Sequence, residues 1–328
     1  LMKRHRGAVA QGHSGETYLL IVFISLGFLL VSCTEKESTT DNNSRLWYRY
    51  PAKYWNSQAL HLGNGYFGAS FFGGTDEEVF AISEKSMWTG GPAEGRWEKA
   101  GVNPGARGSL PLIRQAILDR KYQLADSLVA KNVFGSSELF GNFTSVGNLV
   151  IGFYHQENQS DQYLRELDLL NSIGSVQYEI NKIKYGREYF CSYPDRVLAM
   201  KFSSGTPMGI SFDLKMDIIQ DSSTLDISGN RYEVKGYIDN NLRPFNVLIQ
   251  VKNHGGTVSR EGDYLTVRNS NSAEIYLTVA TNYEMRYPDY TGSDPSVITE
   301  GILNNAIDSD FETLKKRHIE DYKSLYDR

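Results

Sequence analysis

The sequence predicts a mainly β chain, a large antiparallel β-sandwich with two short inserted helices and a helical C-terminal segment. Three observations carry this. From Val146 onward apolar residues recur with a period of two, in runs at about ten-residue spacing separated by turn residues. Earlier, two alternating runs, Tyr66–Phe72 and Glu78–Ser83, flank the turn Gly73-Gly74-Thr75-Asp76. Helical spacing is confined to Ser109–Asn132 and the stretch after Val297, so strands and helices do not alternate as a βαβ fold requires.

Taken in order, Lys3, Arg4 and Arg6 precede the apolar run Tyr18–Val31. That run is shorter than the roughly 20 residues of a membrane span and suits the core of an export signal. It ends in Leu30-Val31-Ser32-Cys33, which resembles a bacterial lipobox whose cysteine becomes the lipidated N-terminus. The alternative is an ordinary signal peptide with a chance cysteine. Residues 1–33 are therefore expected to be a lipoprotein signal peptide. The chain would be exported as a periplasmic or outer-membrane lipoprotein, touching the membrane through its lipid anchor only. The first residue is Leu1, which leaves open a start at Met2 or a fragment. Residues 34–45 are rich in Glu, Ser, Thr and Asn, and read as a solvated tether.

The folded part should begin near Leu46-Trp47-Tyr48 and run, as a β-sandwich, over 46–290. Ser109 is placed to cap a helix through Arg120, with Leu110, Ile113 and Ile117 on one face. A second helix, Tyr122–Asn132, turns Ala125, Leu128 and Val129 inward. The strand candidates are then Asn148–His155, Tyr163–Leu169, Ser175–Ile180, Tyr185–Tyr193, Val197–Phe202, Ile210–Met216, Tyr232–Tyr237, Phe245–Val251, Tyr264–Arg268 and Glu274–Ala280. In 291–328, Val297–Ile307 and the stripe Phe311, Leu314, His318, Tyr322, Leu325 fall at helical spacing. His318 on that stripe reads as a packed helix residue.

Composition excludes several function classes. A net charge of −5, from 34 basic and 39 acidic residues, gives no basic stripe for nucleic acid. No phosphate-binding or dinucleotide glycine motif occurs, and neither CxxC nor HExxH metal spacing is present, so no cofactor and no metal is expected. Cys191, in a strand candidate, reads as a small buried hydrophobe. Glu77-Glu78 reads as solvated turn charge and Asp195, after Pro194, as a turn former.

The stretch Trp55–Pro92 carries more than spacing. Its pieces are Trp55…Ala59-Leu60-His61-Leu62-Gly63-Asn64-Gly65, Gly68-Ala69…Gly73, and Ile82-Ser83-Glu84-Lys85-Ser86-Met87-Trp88-Thr89-Gly90-Gly91-Pro92. They resemble the N-terminal domain of glycoside hydrolase family 95, α-L-fucosidases that cleave terminal 1,2-linked fucose. The departures from that pattern are His61 for Pro, Ser83 for Asn, Lys85 for Asp and Thr89 for Ser. Asn103-Pro104-Gly105-Ala106, Leu110-Pro111-Leu112-Ile113-Arg114, Val176–Ile180 and Arg187–Ala199 extend the resemblance, and the first two, with the Trp88–Pro92 loop, favour family 95 over the related family 65 phosphorylases. His318…Asp321-Tyr322…Leu325-Tyr326-Asp327-Arg328 resembles the segment that enters the family's catalytic barrel.

The resemblance implies a super-sandwich followed by a helical linker, with the acid and water-activating residues in an (α/α)6 barrel beyond it. No catalytic residue is then expected in this chain, and Glu84, Glu94 and Asp195 are poor candidates for one. The chain would be the N-terminal portion of an inverting 1,2-α-L-fucosidase-like enzyme, inactive alone, with its helical stripe lacking a barrel to pack on. Its partners would be a fucosylated glycan and its own barrel. The substrate-binding candidates are Trp88, Thr89, Gly90 and Gly91: Trp88 either stacks on a sugar face or fills the seam between domains. The alternatives are a non-catalytic carbohydrate-binding lipoprotein, and the N-domain of an α-L-galactosidase or a family 65-like phosphorylase.

Overall fold

The computed structural model describes residues 44–90, 103–135, 141–155, 160–239 and 241–328. They form two stacked antiparallel sheets, as the period-two pattern predicts. The first strands are β1 (Arg45–Tyr48), β2 (Leu60–Gly63), β3 (Phe67–Phe71) and β4 (Glu77–Glu84). The middle of the chain gives β5 (Gly147–Phe153), β6 (Asp161–Asp168), β7 (Ile173–Ile180), β8 (Ile183–Ser192), β9 (Val197–Ser204) and β10 (Ile210–Ile218). The rest are β11 (Ser223–Ser228), β12 (Arg231–Tyr237), β13 (Pro244–His254), β14 (Thr257–Glu261), β15 (Tyr264–Ser270) and β16 (Ser272–Thr281).

The nine-stranded sheet runs β1-β6-β7-β8-β9-β16-β13-β12-β11, and the seven-stranded sheet β14-β15-β10-β5-β4-β3-β2. Alternate residues of each strand point between the sheets and build one core from Phe71, Phe80, Phe202, Phe212, Leu214 and Val247, among others.

Among the described residues there are five helices. A single turn, α1 (Trp55–Gln58), leads into β2. The inserted pair is α2 (Ala106–Leu118) and α3 (Tyr122–Asn132). The first of these corrects the expected start. Asn103 accepts from the Gly105 and Ala106 amides and opens the helix three residues early, leaving Ser109 inside it. Its buried face is Ile113 and Ala116, whereas Leu110 and Ile117 are exposed. In α3 only Ala125 is fully buried, and Leu128 and Val129 are half-buried.

Two helices close the chain, α4 (Pro295–Ile307) and α5 (Phe311–Tyr326), capped by Asp294 and Asp310 through the amides of Ser296 and Thr313. The C-terminal stripe, expected to lack a barrel to pack on, packs through its first turns on the sandwich itself. Phe311 and Leu314 are buried with Phe190, Val197, Leu248 and Tyr276 on the outer face of the nine-stranded sheet. His318 stacks on Phe190 at 5.0 Å, with Nε2 donating to the carbonyls of Asn171 and Ser172. The sandwich itself supplies the surface, because β8 turns Tyr189 and Cys191 inward and leaves Phe190 for the helix. Cys191 is buried as expected, and burial pushes its thiol well above the ordinary range.

The reading of Glu78 as solvated turn charge also fails. Glu77 is exposed, but Glu78 shares the inward parity of Phe80 and Ile82 and is fully buried. Its Oε1 accepts from the amides of Phe72 and Gly73, and its Oε2 from the Tyr189 hydroxyl at 2.8 Å. Arg187 lies 3.4 Å from Oε2 and donates to the carbonyls of Gly74 and Thr75 and to the Tyr178 hydroxyl. Burial pushes the Glu78 carboxyl up, opposed by Arg187 and by these donors.

Candidate functional site

The candidate loop begins where β4 ends. Glu84 is buried, and its Oε2 accepts from the amide and hydroxyl of Ser86 at 2.7 and 2.6 Å. Ser86 in turn meets the Thr281 hydroxyl at 2.5 Å, which ties the turn to the end of β16. Met87 is fully buried and anchors the segment from below. The chain then rises, and Trp88 comes out 48% exposed.

Trp88 is held in place. Its indole N–H donates to the Lys85 carbonyl at 3.1 Å, and its ring packs edge-on against Phe143, itself half exposed, at 5.7 Å. Thr89 exchanges hydrogen bonds with Asn142 through both backbone and hydroxyl. Gly90 sits at φ +69°, where a side chain is strained. The Asn241 side chain, from the turn between β12 and β13, donates to the carbonyls of Trp88 and Gly90 at 2.6 and 2.8 Å. Three separate segments thus hold one exposed indole. Ordering costs are met before any ligand arrives, so such a ring is suited to stacking.

Trp88, Thr89 and Gly90 are brought together here; Gly91, Glu94 and Cys33 lie outside the described residues. The site includes residues that sequence reasoning missed. Phe143 and Asn142 come from the segment before β5 and Asn241 from a hairpin 153 residues beyond Trp88. Nothing in the local sequence at Asn241 signals that contact. The two described acidic candidates, Glu84 and Asp195, are both engaged. Asp195 accepts from Ser192 in its turn and pairs with Arg317 of α5 at 2.5 Å. Among the described residues no three His, Cys, Asp or Glu side chains gather as a metal site would need.

Burial raises the Glu84 carboxyl above its ordinary 4.5, opposed first by Ser86 and then by Lys85 and Arg196. The folded state therefore binds this proton more tightly than the unfolded chain. Stability contributed by Glu84 is full at low pH and is lost as pH rises from 4.5 through the raised value. Glu84→Gln should flatten the fall in stability as pH rises above 4.5, measured by urea midpoints. An unchanged or steeper fall would refute this assignment.

The model of the family described as "Glycosyl hydrolase family 65, N-terminal domain" matches residues 46–286. The chain belongs to this family. The curated relatives of this N-terminal domain include Alpha-L-fucosidase 2 of Arabidopsis thaliana, 27% identical over 87% of the chain and 36% of the relative. Probable alpha-fucosidase A of Aspergillus niger is 27% identical over 86% of the chain and 37% of the relative. The expected kinship with fucosidase N-terminal domains is thus shown, under a family model that bears the family 65 label. The chain spans little more than a third of the length of these relatives. The fold is shared with a putative kojibiose phosphorylase from human microbiome, at TM-score 0.51 and 11% identity over 86% of the chain and 38% of that structure. The chain is therefore a glycoside hydrolase N-terminal domain related to α-fucosidases.

Proposed function

We propose that this domain serves an exported, inverting 1,2-α-L-fucosidase-like glycoside hydrolase acting on fucosylated glycans, and that it holds substrate but does not cleave it alone. The observation that carries the reading is the Trp88-Thr89-Gly90 loop, clamped from three sides with its indole half exposed, in a chain whose relatives are named fucosidases. In an inverting reaction a carboxylic acid protonates the glycosidic oxygen while a base-side group directs water to the opposite face of the anomeric carbon. Glu78, Glu84 and Asp195 are each committed to internal partners, which supports the assignment of both roles to another domain.

The test uses 2′-fucosyllactose. This chain alone is expected to release no fucose above background, since each positioned acid or base is worth roughly 10²–10⁴-fold in rate. Exchanged for the matching domain of the Arabidopsis relative, it should support fucose release, and Trp88→Ala should lower kcat/KM roughly fivefold, about 1 kcal/mol. Turnover by the chain alone that survives substitution of its acidic residues would sink the proposal.

Export and lipidation at Cys33 are part of the same proposal, supported by the apolar run ending in Leu30-Val31-Ser32-Cys33. Expressed in a bacterium with radioactive palmitate, the protein should label, and Cys33→Ser should not. Equal labelling of the two would exclude the lipobox.

A further inference from the structure

Helices α4 and α5 cover the outer face of the nine-stranded sheet over β8, β9, β16 and β13. Beside the first turn of α4, Lys235 and Tyr237 of β12 and Ser223 and Thr224 of β11 are exposed. The step from helix to bare strands forms an open cleft of about 600 Å³, lined on one side by Asp294 and on the other by Asp221, Thr224, Lys235 and Tyr237. That volume falls within the roughly 300–1,000 Å³ of small-molecule sites.

Strand parity explains the lining. Lys235 and Tyr237 are alternate residues of β12 and point outward, with Thr224 opposite Lys235 on β11. Between them Gly236 faces inward, where a Cβ would lie 2.6 Å from both the Phe245 ring and the Ser222 carbonyl. A side chain there would push β12 away from its neighbours and break the floor of the cleft. Tyr237 is 51% exposed at the cleft wall.

We propose that this cleft is a second saccharide-binding site of the domain, separate from the Trp88 loop, which takes one or two sugar units. The proposal rests on the reading of the chain as part of a glycan-acting hydrolase. The Tyr237 ring offers an apolar plate for the C–H face of a sugar. Asp294 uses Oδ1 to cap α4 and keeps a second oxygen, and the Asp221 carboxylate has no protein partner among the described residues, so both can accept from sugar hydroxyls. Lys235, paired with Glu233 at 3.2 Å, has donors to spare. Two carboxylates disfavour phosphates and other anions, which leaves an uncharged polyhydroxylated ligand as the best match. The same β12–β13 hairpin carries Tyr237 in its last strand pair and, in the turn that follows, the Asn241 that clamps Trp88 and Gly90. The cleft and the loop thus share one end of the sandwich.

The test is a titration of the whole chain with 2′-fucosyllactose and with lactose, followed by NMR. Weak binding that Tyr237→Ala and Asp221→Asn each reduce about fivefold or more, and that Tyr237→Phe retains, is the expected result. Tyr264→Ala, which removes a partly exposed ring from the other sheet, should leave binding unchanged. Circular dichroism melts establish that each variant is folded. Binding lost with Trp88→Ala but unaffected by Tyr237→Ala would overturn the cleft while leaving the reading of the loop intact. Absence of binding to either sugar would also overturn it, and fucose release by the domain-exchanged enzyme would then show that the functional reading survives on its own.

Discussion

Replacing Arg187 by alanine is expected to lower the unfolding free energy by about 3–5 kcal/mol, because it strands a buried carboxylate. Glu78 is fully buried and Arg187 is 3% exposed, between the two sheets. Burial alone would lower the Arg187 pKa, yet Tyr178, Tyr189 and Glu78 together hold it above the ordinary range, so the guanidinium stays charged. It also serves the carbonyls of Gly74 and Thr75 in the turn between β3 and β4, and it stacks 3.8 Å from the Phe153 ring centre. Its loss leaves a buried carboxylate and two half-buried carbonyls short of donors. Glu78→Met combined with Arg187→Met should cost clearly less than the sum of the two single changes, since apolar groups of similar size need no partners. Urea titrations of the four forms give the coupling. A cost below about 1 kcal/mol for Arg187→Ala, or strict additivity in the cycle, would show the network to be incidental.

The second large effect is expected at Phe311. Phe311→Ala should cost about 3–5 kcal/mol and release the first turns of α5 from the sheet. The ring is 1% exposed and packs edge-on against Phe190 at 5.1 Å, the same residue on which His318 stacks. The outer ion pairs, Lys315 with Glu188 and Arg317 with Asp195, register the helix on the surface but contribute little beside that contact. Leu325 is 60% exposed near the far end, so Leu325→Ala should fall within about 0.5 kcal/mol of the parent. Hydrogen exchange of the amides in 311–326 separates local release from global loss of stability. If exchange there is unchanged in Phe311→Ala, the helix is held by something other than this ring.

The strands that were legible in the sequence and those that were not divide along a physical line. The unrecognised ones, β1, β2, β11 and β14, are the four edges of the two sheets. Ser223–Ser228 and Thr257–Glu261 are mostly exposed, so their residues report solvent rather than a buried face. β11 and β14 are polar, as suits an edge that would otherwise recruit further strands, whereas β1 and β2 are four residues each, too short to show a period. The inner strands are pressed against the opposite sheet, and that constraint writes period two into the sequence. Glu78 shares the parity of Phe80 and Ile82, so its burial is written in the strand period although its charge alone points to solvent.

Local pattern by itself determined the β character, the strand periodicity, the Tyr122–Asn132 helix and the motif that carries Trp88. Those properties depend on which side of each residue meets water, and that preference recurs over a few residues of chain. Only the tertiary structure decided that β16 lies between β9 and β13, that Arg187 meets Glu78, that α5 seats on Phe190 and that Asn241 holds the Trp88 loop. Each joins segments distant in sequence, and the partner of a buried charge or ring is chosen by the sheet register that brings it within reach.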